Sequence, residues 1–218
     1  MTKIPQDVPD LPYAHALEPA PSPLSRDRDY DLCHFASSDE RETDVGSSRF
    51  TECAFENVQF DGMRLRRTKL TDVWWRGSRM LSSDIAESEW LDVTMLSSAL
   101  AGIDAYSMQL RRVVFQRCKL DAVNLRASAL HDVVFEDCIL RDVDFTTAKL
   151  LDVKFPGTAL RGAKFAKSKL TRVDFRDATV VEVLDGYQNL RGSIIDSGQA
   201  VELSADFAQA LGITVKDH

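Results

Sequence analysis

A large apolar residue recurs at every fifth position of this chain from Phe50 to Val180, without one insertion. Of these positions, Ala105 alone carries a small side chain. A second series of smaller residues, such as Val113 and Cys118, stands two positions before each member of the first. The other three residues of each five are mostly polar or glycine, so each five-residue unit offers two side chains to an interior.

A period of five excludes the regular helix and the simple strand, because periods of 3.6 and 2.0 both drift out of phase within a few units. A chain that bends after every five residues keeps the register. Between residues 113 and 180 the units alternate between Val…Phe and small…Leu pairs, which gives a ten-residue superperiod that is broken at Leu125 and Ala163. Opposite sides of a square coil with four such units per turn would match in this way, so the sequence predicts a solenoid.

The repeat resembles that of the pentapeptide-repeat proteins, whose pattern is roughly A(D/N)LXX. The matching stretches are AVNLRA at 122–127, TALRG at 158–162 and QNLRG at 188–192. The resemblance covers residues 48–182 without a break and 28–195 more loosely. It implies an all-β solenoid, a right-handed quadrilateral β-helix of about 7–8 coils whose turns lie roughly 4.8 Å apart.

Four segments are expected. Six of the seven prolines lie before Ser25, so residues 1–27 are predicted to form a flexible arm that is either mobile or folded back over the coil. Residues 28–47 are a degenerate first coil, because 31–35 keep the register and Glu40 breaks it. Residues 48–195 form the β-helix, and 196–218 form a C-terminal helix and tail.

The interior is predicted to be filled by stacked side chains, because equivalent residues of successive turns face each other. One column should contain Phe115, Phe135, Phe155 and Phe175, and another Phe145 and Phe165. The four cysteines, Cys33, Cys53, Cys118 and Cys138, have no CxxC spacing and no partnering histidines. We interpret them as reduced core thiols rather than as metal ligands or redox groups.

Catalysis is not expected. The sequence has no HExxH, GxSxG, P-loop or GxGxxG motif, and a filled coil has no cleft. We therefore predict no catalytic residue, no metal, no cofactor and no small-molecule substrate. No long apolar run and no secretory signal pattern is present, so we expect a cytoplasmic protein without a membrane interaction.

The net charge of −7 comes from the ends, because residues 46–184 hold nineteen acidic and twenty-one basic residues. One corner of the square should nevertheless stack seven charged residues, which we call the acidic rail: Glu52, Asp72, Asp92, Arg112, Asp132, Asp152 and Arg172. Beside it lies an acidic patch: Asp84, Glu87, Glu89, Asp92 and Asp104. These carboxylates either accept hydrogen bonds from corner amides or form a binding site for a basic partner.

The resemblance also implies a function. Some pentapeptide-repeat proteins protect DNA gyrase and confer quinolone resistance by acting as an acidic mimic of DNA. The most specific prediction is therefore a topoisomerase-binding protein, and the alternative is a general protein-interaction scaffold without DNA mimicry. The basic residues between 149 and 172 are interpreted as a solvated face, so direct binding of nucleic acid is not expected.

The C-terminal segment should contain a helix capped by Asp196 or Ser197 and ended before Gly212. Its apolar stripe is either a lid on the last coil or a two-fold dimer interface, as in the similar C-terminal helix of the gyrase-protecting proteins, and we predict a homodimer. The candidate interface residues are Ala200, Leu203, Phe207, Leu211, Ile213 and Val215.

Several apolar residues fall at outward-facing positions where polar residues are usual. Trp74, Val114 and Val134 should stack on one side of the coil together with Thr94, and the others are Leu91, Leu96, Tyr106 and Leu151. Either they form an interaction surface, or residues 1–45 cover some of them.

Overall fold

Equivalent residues of successive turns pair in parallel along almost the whole chain, and together they build a four-sided β-solenoid of about eight turns. The computed structural model describes residues 4–21 and 23–216, so the outer ends of the predicted arm and tail, 1–3 and 217–218, lie outside the described residues. Phe115 lies beside Phe135, for example, and Lys149 N donates to Ser128 O at 2.9 Å. The predicted fold class, an all-β solenoid with helix at its C-terminal end, is confirmed.

Short strands form three of the four sides. On the first side they are Asp29–Asp31, Arg49–Thr51, Lys69–Thr71, Glu89–Leu91, the first halves of Gln109–Gln116 and Ala129–Glu136, Lys149–Leu151 and Lys169–Thr171. On the second side they are Glu18–Pro19, Cys33–Ala36, Ala54–Glu56, Trp74–Arg76, Thr94–Leu96, the second halves of the same two long strands, Val173–Asp174 and Ser193–Ile194. On the third side they are Gln59–Asp61, Arg79–Leu81, Ala99–Ala101, Lys119–Asp121, Ile139–Arg141, Ala159–Lys164 and Val180–Asp185.

The fourth side is held by single β-bridges between successive turns, beginning with Asp44 and Arg64 and ending with Asp144 and Lys164. Chain direction changes at the corners, where every fifth residue from Asp27 to Arg172 has a φ between +47° and +69°. This left-handed conformation disfavours most side chains, and Asp, Asn and Gly tolerate it best. The five-residue period therefore reflects one left-handed residue per side.

The two apolar series fill the interior, and their positions from Ser48 to Phe175 are buried. On the second side Phe115, Phe135, Phe155 and Phe175 lie in one column with near-parallel rings and centroids 4.9 to 5.3 Å apart. Phe145 and Phe165 stack at 5.2 Å in a second column. Successive turns thus exclude water from the axis of the coil.

Buried hydroxyl groups join the turns at positions of the smaller series. Ser83 Oγ accepts from Met63 N at 3.1 Å and donates to Phe60 O at 2.6 Å. Thr158 Oγ1 repeats this arrangement further along the coil with Cys138 N and Phe135 O. These side chains appear polar in the sequence but belong to the core, because backbone groups of the preceding turn satisfy their hydroxyls.

Ala105 leaves a small void. The cavity measures about 20 Å³ and is lined by buried apolar side chains, among them Trp90, Met108 and Phe115. Ile103 and Met108 flank Ala105 in the sequence and compensate for its lost volume only in part.

Both ends of the coil carry additional segments. At the front, residues 4–17 contain two short 3₁₀ turns, Val8–Asp10 and Ala14–Ala16, and lie along the second side. At the back, a 3₁₀ turn at Tyr187–Asn189 precedes two short helices, α1 (Ser197–Glu202) and α2 (Ser204–Ala210). Neither α1 nor α2, nor any other helix within the described residues, has the length and apolar character to cross a bilayer.

Candidate partner-binding surfaces

The acidic rail occupies the left-handed corner between the first and second sides, where Glu52, Asp72, Asp92, Arg112, Asp132, Asp152 and Arg172 each have a positive φ. Its arginines bind its carboxylates. Arg112 donates Nε and Nη2 to the two oxygens of Asp92, each at 2.6 Å, and Arg172 makes the same pair of bonds to Asp152. Bidentate pairs of this kind neutralise both partners, so the line of negative charge is interrupted twice.

The remaining rail carboxylates are Glu52, Asp72 and Asp132. Burial raises the pKa of Asp72, and the negative charge of Asp92 raises it further. By contrast, the hydrogen bond from Arg172 lowers the pKa of Asp152. The pKa values of two members of one rail therefore shift in opposite directions, because burial dominates at Asp72 and the hydrogen bond from Arg172 dominates at Asp152.

Three of the five carboxylates in the acidic patch, Asp84, Glu87 and Glu89, pair with bases on the preceding turn. Arg66 contacts both Asp84 and Glu87, and Lys69 Nζ lies 3.0 Å from Glu89. These bases are distant from the patch in the sequence and adjacent to it in space. In a solenoid, an acidic stretch of sequence without basic residues can therefore be balanced in charge by basic residues of the neighbouring turn.

Some of the predicted carboxylate–amide hydrogen bonds occur, at a different position from the rail. Asp84 Oδ1 accepts from Ala86 N at 2.9 Å, and Asp104 Oδ1 accepts from Tyr106 N at 3.3 Å. Asp144 makes the same bond on the fourth side. These residues stand one position before the member of the large apolar series, and each carboxylate accepts from the amide two residues later.

Three side chains at the rail could share a cation. The ligand atoms of His131, Asp132 and Asp152 lie within 4.8 Å of one another. A nitrogen with two carboxylates suits a divalent transition metal ion. Such an ion would compete with Arg172, which already binds both oxygens of Asp152.

The cysteines are free and buried. Burial raises the pKa of Cys53 to about 12, so its thiol stays protonated at neutral pH. Cys118 and Cys138 lie on adjacent turns, and the Cys118 amide donates to the Cys138 sulfur at 3.4 Å. These thiols act as small core residues, because the thiolate is the reactive form.

An apolar strip on the second side is covered by the N-terminal segment. Trp74 faces outward from the coil but is only 1% exposed. It packs with Ala54, Leu96, Leu11 and Tyr13 in a cluster separate from the core. The structure thus places residues 4–17 over part of the outward-facing apolar residues. Tyr106, also predicted to face outward, is 44% exposed.

Polar contacts fix the same segment along several turns. Trp74 Nε1 donates to Pro5 O at 3.1 Å, and Tyr13 Oη donates to Asp72 O at 2.8 Å. Burial raises the pKa of Tyr13, so the phenol remains a donor. Gln6 is held by two residues of the coil: it donates to Gln116 at 3.0 Å and accepts from Arg117 at 2.6 Å.

The C-terminal helices close the last coil. Asp196 caps α1 by accepting from Gln199 N at 2.9 Å, and Gln199 Nε2 donates to Phe175 O at 2.6 Å. Leu203 is buried, and Phe207 packs edge-on against Tyr187 with ring centroids 6.0 Å apart. These residues act as a lid on this chain's own interior.

The predicted apolar stripe is therefore divided. Leu203 and Phe207 face the coil, whereas Ala200, Leu211, Ile213 and Val215 are exposed. Three further large apolar residues at this end, Leu184, Ile194 and Val201, are exposed as well. Most of the large exposed apolar side chains of the described chain thus lie at its C-terminal end.

Comparison with known proteins identifies the repeat. Residues 108–183 match the family model described as "Pentapeptide repeat region". No curated protein matches the sequence.

Several solved structures are similar. Rfr23, a pentapeptide repeat protein from the cyanobacterium Cyanothece 51142, is 15% identical over 51% of this chain and 90% of its own, with a TM-score of 0.49. HetL from Nostoc sp. strain PCC 7120, a pentapeptide repeat protein involved in heterocyst differentiation regulation, is 12% identical over 81% and 94%, with a TM-score of 0.36. A trypsin-treated form of QnrB1, a plasmid-mediated fluoroquinolone resistance protein, is 18% identical over 87% and 99%, with a TM-score of 0.40. At these identities and TM-scores, the roles of these proteins cannot be assigned to this chain.

Proposed function

Since this chain is a pentapeptide-repeat protein, we propose that it acts as a rod that binds other macromolecules through its outer faces and performs no catalysis. One observation carries the proposal. Two side chains of every five-residue unit fill the axis of the coil from Ser48 to Phe175. The surface available to a partner is therefore the outside of the rod and its two ends.

The most specific partner we propose is DNA gyrase or a related topoisomerase, bound through the acidic rail as a mimic of DNA. Glu52, Asp72 and Asp132 support it, because they are aligned on one corner and are not neutralised by an arginine there. The rail has a net charge of −3 over six intervals of roughly 4.8 Å, or about one charge per 10 Å. One strand of B-DNA carries about one charge per 3.4 Å, so any mimicry is sparse.

A supercoiling assay with charge variants tests the rail. We expect the purified protein to inhibit gyrase at micromolar concentration, and Glu52→Gln/Asp72→Asn/Asp132→Asn to lose at least about tenfold in potency. Arg112→Gln/Arg172→Gln should gain potency, because it releases two more carboxylates.

The matched control is Asp137→Asn/Asp142→Asn, which removes two acids from left-handed positions at other corners. It should retain the potency of the wild type. Equal loss in the control and the rail variant, or no inhibition by any form, would reject DNA mimicry by the rail and leave the alternative, an interaction scaffold. The ion pairs of three carboxylates in the acidic patch favour that alternative.

We also propose that two copies pair through the C-terminal end. The exposed residues Leu211, Ile213 and Val215 support pairing, because a cluster of this kind on a monomer is a frequent sign of an interface. Light scattering should show that Leu211→Asp/Ile213→Asp halves the mass of the particle. Ser204→Asp, at an exposed position of α2, serves as the control and should leave the mass unchanged. A monomeric wild type would refute the dimer.

A further inference from the structure

The outer row of the second side has an unusual composition. Its side chains stand one position before the member of the large apolar series on successive turns: His34, Ala54, Trp74, Thr94, Val114, Val134, Lys154 and Asp174. Polar residues occupy both ends, and the middle is apolar apart from Thr94. Trp74 is the largest of these side chains, and residues 4–17 cover its outer face.

The segment over this row is compact, since it contains the two 3₁₀ turns, and it binds the coil through apolar side chains and through backbone carbonyls. Leu11 and Tyr13 supply apolar anchors against Trp74, and the Trp74 indole and Arg76 donate to the carbonyls of Pro5 and Gln6. Arg76 also contacts the Asp7 carboxylate. Trp74 of the row and Arg76 beside it therefore bind backbone carbonyls, an acidic residue and a large apolar anchor that follows it.

The solenoid does not need this segment for its core. Leu11 and Tyr13 belong to an apolar cluster distinct from the one that fills the coil. The connection back to the first coil contains Pro19, Pro21 and Pro23, and Glu18 N and Ala20 N make the strand bonds to Leu32 O and His34 O at 2.8 and 3.0 Å. Residues 4–17 can leave without opening the interior.

We propose that this row is a docking groove for a short, turn-containing segment of a partner protein, and that the chain's own residues 4–17 occupy it until such a segment displaces them. The partner segment has a Leu or Tyr anchor a few residues after an acid or an amide. This inference deepens the proposed role as a binding rod, but it involves neither the acidic rail nor the C-terminal end. A tethered segment acts at an effective concentration in the millimolar range, so the intact chain binds competitors weakly.

A labelled synthetic peptide of residues 1–21 of this chain serves as the probe. The receptor is the full chain with Leu11→Ser/Tyr13→Ser, which weakens the resident segment and leaves the groove intact. By fluorescence anisotropy, we expect saturable binding to this variant at least tenfold tighter than to the wild type. Adding Trp74→Arg to the variant should abolish the binding.

A second receptor addresses the polar end. Gln6→Ala/Asp7→Lys removes the side-chain contacts to Gln116 and Arg117 and the ion pair with Arg76 without touching the apolar anchors. It should also bind the peptide more tightly than the wild type. Acrylamide should quench more tryptophan fluorescence in both receptors, because Trp74 becomes accessible while Trp75 and Trp90 stay in the core.

Tyr106→Ser, at an exposed tyrosine away from the groove, is the control and should behave as the wild type. The proposal is overturned if neither receptor binds the peptide more tightly than the wild type, or if binding persists with Trp74→Arg. The assay contains no topoisomerase and no nucleic acid. A failure here leaves the rail proposal standing, and a failure of the supercoiling assay leaves the groove standing.

Discussion

Residues 113–175 and residues 73–110 follow the same five-residue register with different core chemistry. The later region uses Val…Phe units, and its aromatic rings stack almost in parallel. The earlier region combines Trp75, Trp90 and Met95 with buried serines and contains the cavity beside Ala105. The fold therefore requires two inward side chains per unit, whereas their identity sets how well each turn packs on the next.

The largest effect is expected from the stacked phenylalanines. Phe145→Ala should lower the free energy of unfolding by about 3 to 5 kcal/mol, because it removes a fully buried ring and leaves a cavity between two turns. Thermal and urea melts measure it. Thr146→Ser, on the next residue and half-buried, is the control and should cost less than about 0.5 kcal/mol. Equal costs would contradict the assignment of the inward series.

A smaller effect is expected from the buried hydroxyls of the earlier region. Ser88 Oγ donates to Leu65 O at 2.8 Å and accepts from Thr68 N at 3.1 Å. Ser88→Ala should destabilise by about 0.5 to 1.5 kcal/mol, because both backbone groups lose the Ser88 hydroxyl but keep the hydrogen bond between them at 3.2 Å.

The equivalent position in the later region is Ala148, three turns further along the coil, where the backbone has no hydroxyl partner. Ala148→Ser tests whether a hydroxyl introduced here makes the same hydrogen bonds. We expect the free energy of unfolding to change by less than about 1 kcal/mol. A loss from Ser88→Ala no greater than that from Ala148→Ser would mean that these hydroxyls are tolerated rather than stabilising. Urea melts of both variants decide this.

The smallest effect is expected at the cavity. Ala105→Val should raise the free energy of unfolding by roughly 0.5 kcal/mol, since about 20 Å³ of void costs about 24 cal/mol per Å³. Ala163→Val, at a well-packed position of the later region, is the control and should cost about 1 to 3 kcal/mol by overpacking. Destabilisation by both substitutions would show that the earlier region is packed as tightly as the later one.

Much of the fold follows from the sequence because every five-residue unit has the same pattern of two inward-facing residues and one corner residue. The register of Phe50 to Phe175, the pairing of each unit with its equivalent one turn later and the cap at Asp196 all follow from local patterns. The single helix expected up to Gly212 was wrong in one respect, since it is divided at Leu203 into α1 and α2. The sequence pattern of the segment after the repeat did not predict a break at Leu203.

The surface was less predictable. An acidic patch around Glu87 and Glu89 was expected from a stretch without bases, but Arg66 and Lys69 lie beside it on the preceding turn. Applying the spacing of one turn to charges as well as to apolar residues would have found these pairs. The outward-facing apolar residues indicated that part of residues 1–45 is one possible cover, but no spacing predicted the position of residues 4–17, because that segment lies outside the repeat.

By itself, the sequence determined that this chain forms a filled four-sided coil, because a period of five satisfies burial in no other regular way. The tertiary structure decided which outward residues remain accessible and how the rail charges pair: Trp74 is covered, Leu211 is exposed, and the two rail arginines each bind the carboxylate of the preceding turn. The physical reason is that burial of the core is set by local periodicity. Exposure and charge pairing instead depend on segments that meet only after the coil has formed.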